Sequence, residues 1–151
     1  MKNIVLVDLD GTVCNVKHRV QYIQKGPQKD NTKFHSLHEF DEPIRPIITL
    51  VEIFHSAGYE IVFCSCRFDT ELEKTREWIR THFSIKQLAE ARLLLRSKLD
   101  RREDHEIKPD LLKQAGICFE DIYIVLEDRN QVVKFWRENG LTCLQVADGN
   151  F

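Results

Sequence analysis

The chain has 151 residues, of which 42% are hydrophobic and 30% are charged, a balance that predicts one globular domain and argues against long disorder. Its 22 basic and 24 acidic residues give a net charge of -2, which excludes a general polycation that binds nucleic acid through bulk charge but allows a local basic patch. No apolar run of about 18 residues occurs, so no transmembrane helix is expected. The first apolar run is too short for a secretory signal, and a cytoplasmic protein is predicted.

Five cysteines occur, an odd number without the spacing of a disulfide framework. Three of them, Cys64, Cys66 and Cys143, lie in apolar surroundings typical of strands or strand edges. We therefore expect reduced, partly buried thiols rather than disulfides or a zinc site.

Segments of strand and helix character alternate along the chain. The first, Ile4–Val7, is short, continuous and β-branched, which is typical of a strand buried on both faces. Residues 92–96 fit either a strand or a short helix. The other segments predict strands at 59–64, 122–126 and 142–146, and helices at about 46–57, 70–83, 109–115 and 131–139, with Pro109 in the first turn of its helix.

This alternation predicts an α/β fold with a doubly wound, mainly parallel sheet. Residues 14–42 are polar and irregular, with a short helix at about 32–40, and we interpret them as a small cap insertion within a single domain, 1–151. In such sheets ligands bind outside the carboxyl ends of the strands, and the polar clusters described below follow predicted strands.

Two acids follow the first strand in the sequence Asp8-Leu9-Asp10-Gly11-Thr12. Carboxylates two positions apart can share one metal ion or divide the roles of nucleophile and acid, while Gly11 allows a sharp turn. A solvated Asp-Gly turn is the ordinary alternative. The position directly after a buried strand favours a functional site.

Further polar residues follow the later strands. Ser65 and Arg67 end the second predicted strand and could hold an anion, Lys108 lies at the start of a predicted helix, and Glu127-Asp128 follows another buried strand. Buried acids need a partner, and a cation is the simplest one. Oxygen ligands with few thiols indicate Mg²⁺, held by carboxylates together with waters and a substrate phosphate.

At this point the sequence resembles a known family. Residues 8–12, Ser65, Lys108 and Glu127-Asp128 are similar, in order and spacing, to the four motifs of the haloacid dehalogenase-like phosphohydrolases. Three further features extend the likeness, namely Arg19, the stretch from Arg96 through Asp104 to Lys108, and residues 125–151. The whole pattern is similar to the 3′-phosphatase domain of phage-type polynucleotide kinases and their stand-alone bacterial and phage relatives.

The resemblance implies a role for each matching residue. Asp8 would attack phosphorus and form an aspartyl-phosphate, and Asp10 would protonate the leaving oxygen and later activate water. Mg²⁺ would be bound by Asp8, the Asp10 backbone carbonyl and Asp128, with Glu127 as a supporting group behind the metal. The remaining matches form a phosphate- and substrate-binding set: Thr12, Arg19, Ser65, Arg67, Arg96, Asp104 and Lys108. Within that set, Asp104 is expected to orient Lys108 or an arginine.

Two positions depart from the family pattern. Glu127 stands where the family has an Asp, and one extra methylene shifts a carboxylate enough to matter in a tuned site. Cys66 stands where Gly is usual, so a positive φ there would strain the backbone.

The substrate is less constrained than the chemistry. A basic run, Arg92, Arg96, Lys98, Arg101 and Arg102, precedes Lys108 and could follow a nucleic-acid backbone, bind the phosphates of one nucleotide, or form an ordinary solvated face. Aromatic residues of the 14–42 segment are expected to pack rather than stack on bases, and His35 and His38 are assigned no metal. The sequence contains no phosphate-binding loop of a kinase, so end repair would need a separate 5′-kinase.

Three functions are therefore open. The first is a Mg²⁺-dependent phosphatase for 3′-phosphates of polynucleotide ends or nucleotides, and the second is a phosphatase of small metabolites or 5′-mononucleotides. The third is a phospho-receiver or an inactive binding module. In receivers the acceptor Asp follows a middle strand, whereas here we expect the middle strand to end in Ser65 and Asp10 to supply the acid that turnover needs.

Overall fold

Five parallel strands form one sheet in a computed structural model that describes residues 2–151. The sheet order is β5-β4-β1-β6-β7, and all four pairings are parallel. Its strands are β1 (Ile4–Val7), β4 (Glu60–Phe68), β5 (Arg92–Arg96), β6 (Ile122–Arg129) and β7 (Cys143–Gly149), while the short strands β2 (Cys14–Asn15) and β3 (Glu42–Pro43) form a separate antiparallel pair.

Helices cover both faces of this sheet because successive residues of its central strand point to opposite sides. Val5 and Val7 pack with α2 and α3, whereas Ile4 and Leu6 pack with α4 and α5. The predicted doubly wound α/β class is confirmed. The helices are α1 (Asn31–Ser36), α2 (Arg45–Ser56), α3 (Leu72–His82), α4 (Asp104–Gln114) and α5 (Asn130–Glu138).

The order of the strands corrects one expectation. We expected the middle strand to end in Ser65, but the central strand is β1, which ends directly before Asp8. Asp8 therefore follows the middle strand, with Ser65 on the neighbouring β4. The topological argument against a receiver fails, because strand order within a parallel sheet does not follow from periodicity.

The helix that carries Lys108 begins earlier than predicted. It starts at Asp104, so Lys108 and Pro109 lie in its interior rather than at its mouth. The Glu103 backbone N–H donates to the Glu106 carboxylate at 3.1 Å, an N-terminal capping interaction that outweighs the preference of proline for the first turn.

Two smaller uncertainties are resolved. Residues 92–96 form the edge strand β5, paired with β4. The β4–β5 register shifts between Ser65 and Phe68, and this irregularity contains Cys66. No residue other than glycine among 2–151 has a positive φ, so Cys66 carries no such backbone strain.

Segment 14–42 joins the central strand region to α2 and reaches over the carboxyl edge of the sheet. Its two ends pair with each other as β2 and β3. Between them, Asp30 caps α1 by accepting from the backbone N–H of Lys33 at 2.9 Å. The sequence predicts that the aromatic residues of this segment pack within the protein. Phe34 is buried as predicted, whereas Phe40 is 67% exposed.

Candidate active site

A cleft opens at the carboxyl edge of the sheet, where β1, β4 and β6 end. One wall comes from segment 14–42 and the other from the loop before α4 and from the chain end. Its lining side chains are Asp8, Asp10, Ile23, Lys29, Asn31, Phe34, His35, Ser65, Cys66, Arg96, Arg101, Arg102, Glu103, Asp104, Lys108, Glu127, Asp128, Arg129 and Phe151.

The first group of charges in this cleft, called the lysine cluster here, consists of Asp8, Lys108, Glu127 and Asp128. The Lys108 ammonium donates to Asp8 Oδ1 at 2.7 Å and to Glu127 Oε2 at 2.5 Å. Burial alone would lower the pKa of Lys108, but these two carboxylates outweigh it and raise the pKa. Lys108 therefore remains a cation although it is only 3% exposed.

Glu127 has both of its carboxylate oxygens occupied. Besides accepting from Lys108, it accepts from the backbone N–H groups of Asp128 and Arg129, each at 3.2 Å. The Glu127 side chain thus supports the carboxyl end of β6 and the position of Lys108. This geometry fits the supporting role that the sequence predicts for Glu127.

Asp128 lies against the turn that follows β1. A Cβ atom on Gly11 would stand 2.1 Å from Asp128 Oδ2, and Gly11 has φ of 84°, so only glycine fits there. Thr12, which is fully buried, donates to Asp8 Oδ2 at 3.0 Å and lies 3.4 Å from Asp128 Oδ1. Thr12 thus contacts carboxylates rather than the cleft.

The lysine cluster has an excess of negative charge. Asp8, Glu127 and Asp128 each place a carboxylate oxygen within 4.8 Å of the others, and among residues 2–151 Lys108 is the one cation that forms ion pairs with them. Burial and then Glu127 raise the pKa of Asp8 to about 7, with Lys108 opposing the shift. Burial, followed by Asp8 and Glu127, raises the pKa of Asp128 to about 9. When all three acids are ionised the lysine cluster carries two uncompensated negative charges, and hard oxygen ligands with this charge fit a divalent cation.

The second group, called the arginine cluster here, surrounds Asp10. Asp10 Oδ1 accepts from Arg19 Nη2 at 2.6 Å and from Arg67 Nη2 and Nε at 2.7 and 2.9 Å. Behind them, Asp41 accepts from both arginines. Burial would raise the pKa of Asp10, but the two guanidinium groups outweigh burial and hold that pKa well below its usual range.

This arrangement places the two arginines behind Asp10 and outside the cleft lining. Arg19 and Arg67 were expected among the phosphate-binding residues, but both are 0% exposed and neither lines the cleft. Their guanidinium groups donate to acids, to the Phe34 carbonyl and to His38 instead. A buried arginine between two carboxylates is a structural cation for those groups rather than an open anion site.

The other predicted residues lie along the cleft. Ser65 is in the lining, and its hydroxyl oxygen accepts from the Arg67 backbone N–H at 3.2 Å. Arg96 donates to the Cys66 carbonyl at 3.1 Å. Asp104 forms an ion pair with Arg129, so this acid orients an arginine, one of the two options the sequence left open.

The basic run divides into two parts. Arg96, Arg101 and Arg102 line the cleft, whereas Arg92 and Lys98 do not. Arg92 pairs with Glu60 at the opposite end of β5, 2.7 Å away. A patch therefore exists at the rim, but it is smaller than the sequence indicates.

Three residues that contact the predicted site residues or line the cleft were not identified from the sequence. Asp41 lies in an irregular segment 31 positions after Asp10, a separation at which no local pattern relates two residues. Arg129 had a usable signal, because it directly follows Glu127 and Asp128 and so lies at the same carboxyl end of β6. Phe151 lines the cleft, and its carbonyl accepts from Arg129 Nε at 2.6 Å.

The cysteines add no site of their own. All five are free, and Cys14, Cys64, Cys66 and Cys143 are buried. Burial raises the pKa of the Cys66 thiol well above its usual value, so this thiol in the cleft is protonated at neutral pH.

Within residues 2–151, no helix has the length and apolar character needed to cross a membrane.

Comparison with solved structures gives similar chains. A chain in the structure of the Pnkp1/Rnl/Hen1 RNA repair complex is 28% identical over 98% of this chain and 43% of its own length, with a TM-score of 0.79. A second structure of a Pnkp1/Rnl/Hen1 complex gives 27% identity over 99% of this chain and 48% of its own, with a TM-score of 0.77. The chain thus spans under half the length of these two matches.

A haloacid dehalogenase-like hydrolase from Streptococcus pneumoniae shares the fold, with 12% identity over 94% of this chain and 83% of its own and a TM-score of 0.60. The family model for the phosphatase domain of the polynucleotide kinase PNKP matches residues 2–151. The resemblance seen in the sequence is confirmed. The chain therefore belongs to the family of PNKP phosphatase domains and is a phosphatase with a haloacid dehalogenase-like fold.

Proposed function

We propose that this phosphatase is a Mg²⁺-dependent phosphomonoester hydrolase that works through an aspartyl-phosphate and removes 3′-phosphates from polynucleotide ends or nucleotides. The lysine cluster is the observation that carries the proposal, because it combines a buried nucleophile candidate with an unbalanced set of oxygen ligands. Asp8, Asp128 and the Asp10 backbone carbonyl would hold the metal, which when bound neutralises charge on the phosphoryl group.

Asp8 is the proposed nucleophile. Lys108 and Thr12 each bond one oxygen of its carboxylate and so fix the side chain at the end of the central strand. In the first step, one Asp8 oxygen bonds to phosphorus while the bond from phosphorus to the ester oxygen breaks. Ser65 and Lys108, both in the cleft lining, are proposed to bind the phosphoryl oxygens.

Asp10 is the proposed acid and base. The leaving oxygen takes its proton from Asp10, and in the second step a water molecule attacks phosphorus, returns a proton to Asp10 and releases Asp8. The arginine cluster keeps Asp10 ionised in the free site, so the acid form requires a change on substrate binding. A phosphate dianion beside Asp10 supplies that change, because a nearby like charge raises the pKa of a carboxyl.

A polynucleotide end is the favoured substrate for two reasons. The rim of the cleft carries the exposed cations Arg101 and Arg102, of which Arg102 pairs with Asp100 and Asp110. The cleft is open between this rim and segment 14–42, our proposed cap within a single domain. In addition, two similar chains come from structures of Pnkp1/Rnl/Hen1 complexes, one of which is named as an RNA repair complex. The 151 residues contain no phosphate-binding loop of a kinase, so another polypeptide or region would supply 5′-phosphorylation.

The test is phosphate release from matched substrates with Mg²⁺ and with EDTA. The set comprises a 3′-phosphorylated oligonucleotide, its 5′-phosphorylated twin, 3′- and 5′-mononucleotides and an aryl phosphate, with Asp8→Asn as the blank. We expect Mg²⁺-dependent release and preference for the 3′-phosphorylated oligonucleotide. Preference for 5′-mononucleotides or for the aryl ester alone would instead support a small-molecule phosphatase.

The intermediate is tested separately by acid quench during turnover and borohydride reduction. Reduction converts an aspartyl-phosphate to homoserine, which peptide mass spectrometry locates. We expect the change at Asp8 in the wild type and its absence in Asp8→Asn. Unmodified Asp8 under rapid turnover would contradict the covalent mechanism while leaving the substrate assignment open.

A further inference from the structure

We infer that Asp41 is a positioning residue that holds Arg19 and Arg67 in the geometry by which they orient Asp10 for proton transfer. The inference rests on the proposed function, since it assigns Asp41 to the reaction that Asp10 serves. Asp41 is not in the cleft lining and is only 2% exposed, so it acts through the two arginines rather than on substrate.

The contacts of Asp41 use both oxygens of its carboxylate. Oδ1 accepts from Arg19 Nε at 2.7 Å, and Oδ2 accepts from Arg19 Nη2 at 2.5 Å and from Arg67 Nη2 at 3.1 Å. Asp41 thus accepts two parallel hydrogen bonds from Arg19, the bidentate arrangement that fixes the orientation of a guanidinium plane most strongly. The same Nη2 atoms of both arginines then donate to Asp10 Oδ1.

Charge balance supports the same role. Two guanidinium groups that are 0% exposed face two carboxylates, so the arginine cluster is neutral when Asp10 and Asp41 are ionised. Without Asp41, one buried positive charge would be left without a partner, at a large cost. Asp10, Cys14 and Asp41 lie close enough to hold a metal ion, but Arg67 Nη2 occupies the space among them and donates to all three.

The backbone holds Asp41 firmly in this place. The Trp78 indole N–H donates to the Asp41 carbonyl at 2.8 Å, and the next residue begins β3, which pairs with β2. Because β2 closely follows the Asp10 turn, one short antiparallel pair links the position of Asp41 to that of Asp10. The three hydrogen bonds from Arg19 and Arg67 to Asp10 all reach Oδ1, and Asp10 also lines the cleft.

The test compares two leaving groups with the variant Asp41→Asn. An aryl phosphate leaves without a proton, whereas an alkyl phosphate such as a 3′-nucleotide needs one from the acid. The ratio kcat/KM reports on transfer to Asp8 for either substrate, so a misoriented Asp10 affects the alkyl ester selectively. We expect kcat/KM for the alkyl ester to fall about 10²-fold, as for an ångström-scale misplacement, and that for the aryl ester to fall less than about threefold.

Asp30→Asn is the matched control. It makes the same chemical change in the same 14–42 segment, and asparagine caps a helix as well as aspartate does, so both substrates should keep wild-type values. Equal losses on both esters in Asp41→Asn would overturn the inference and leave a purely structural residue. Unchanged values on both would overturn it as well.

Two further measures keep the outcome decisive. If Asp41→Asn does not fold, Asp41→Glu retains the charge but displaces the guanidinium groups, and we expect the same selective loss at smaller size. The proposed function is judged independently by the wild type. A wild type that prefers 5′-mononucleotides would refute the 3′-end assignment, while the alkyl-to-aryl comparison on that substrate would still decide the role of Asp41.

Discussion

Asp8 and Asp10 lie two residues apart, yet they belong to clusters with opposite charge balance. The lysine cluster contains three carboxylates and one ammonium group, whereas the arginine cluster contains two carboxylates and two guanidinium groups. With all acids ionised, the lysine cluster has excess negative charge that an added cation would balance, whereas the arginine cluster is already neutral. The turn after β1 therefore supplies Asp8 to a cluster with excess negative charge and Asp10 to a cluster whose charges balance.

The pKa values express the same difference. In the lysine cluster, burial and neighbouring acids raise the pKa of Asp8 to about 7 and of Asp128 to about 9. In the arginine cluster, the guanidinium groups overcome burial and hold the pKa of Asp10 below its usual range. Equivalent substitutions in the two clusters should therefore have opposite consequences.

The largest effect is expected from removing the one cation of the lysine cluster. In Lys108→Met, three buried carboxylates lose their partner, and we expect a loss of about 3–5 kcal/mol in the free energy of unfolding, with phosphatase activity abolished. Urea denaturation in EDTA at pH 8 measures the first quantity. Lys134→Met is the control, because Lys134 is exposed and its ion pair is a surface contact with Glu138, 3.8 Å away. A Lys108→Met protein as stable as this control would contradict the charge imbalance.

The next effect contrasts one acid from each cluster. Asp128→Asn removes excess negative charge, so the metal-free protein should be at least as stable as the wild type, while Mg²⁺ should no longer raise Tm. In the wild type, Mg²⁺ at about 100 times Kd stabilises by about 2.7 kcal/mol, roughly 5–10 °C for a chain of this size. Asp41→Asn should show the reverse, a lower Tm in EDTA with the Mg²⁺ increment retained.

Thermal denaturation with and without Mg²⁺ measures both variants in one series. A Mg²⁺ increment that survives in Asp128→Asn would place the cation elsewhere. An Asp41→Asn protein more stable than the wild type in EDTA would show that the arginine cluster is not balanced by this acid.

The lysine cluster was largely predictable and the arginine cluster was not. Asp8 directly follows β1, and Glu127 and Asp128 lie at the carboxyl end of β6, so parallel-sheet geometry alone brings them to one edge. Lys108 was recognised through its family motif, although its helix begins earlier than the sequence suggests.

By contrast, Asp41 reaches Asp10 through an irregular segment, and only tertiary packing sets that contact. Arg67 illustrates the same limit, because it comes two residues after Ser65, which lines the cleft, yet its guanidinium lies in the arginine cluster. Strand periodicity assigns a residue to a sheet edge, but it does not determine which way a long side chain runs.

A third prediction concerns acid stability, which the arginine cluster should limit. His38 Nδ1 accepts from Arg67 at 3.1 Å, and its Nε2–H donates to Glu71 at 3.0 Å, so the ring is neutral. Burial, and then Arg67, lower the pKa of His38 from 6.5 to about 3. A lowered histidine pKa gives stability that is present above about pH 6.5 and is lost as the pH falls toward 3.

His38→Gln retains an acceptor and a donor without a titrating ring. At pH 5 the wild type should lose about 2 kcal/mol relative to pH 7 through this histidine, and the variant should lose correspondingly less. Denaturant unfolding at the two pH values measures the difference. Identical acid sensitivity in both proteins would show that His38 does not contribute to it.

The smallest effect is expected at the rim, outside both clusters, where a pair of arginines from the same basic run provides a matched test. Arg101 lines the cleft and forms no ion pair with any of residues 2–151, whereas Arg92 pairs with Glu60 at the far end of β5.

If the rim follows a phosphodiester backbone, Arg101→Gln should raise KM for a 3′-phosphorylated oligonucleotide about threefold and reduce its salt dependence by about one phosphate contact. Arg92→Gln should leave both quantities unchanged, and neither variant should alter hydrolysis of an aryl phosphate. Equal effects of the two variants would mean that only net charge matters, and the rim would then lose its role in binding the polynucleotide end.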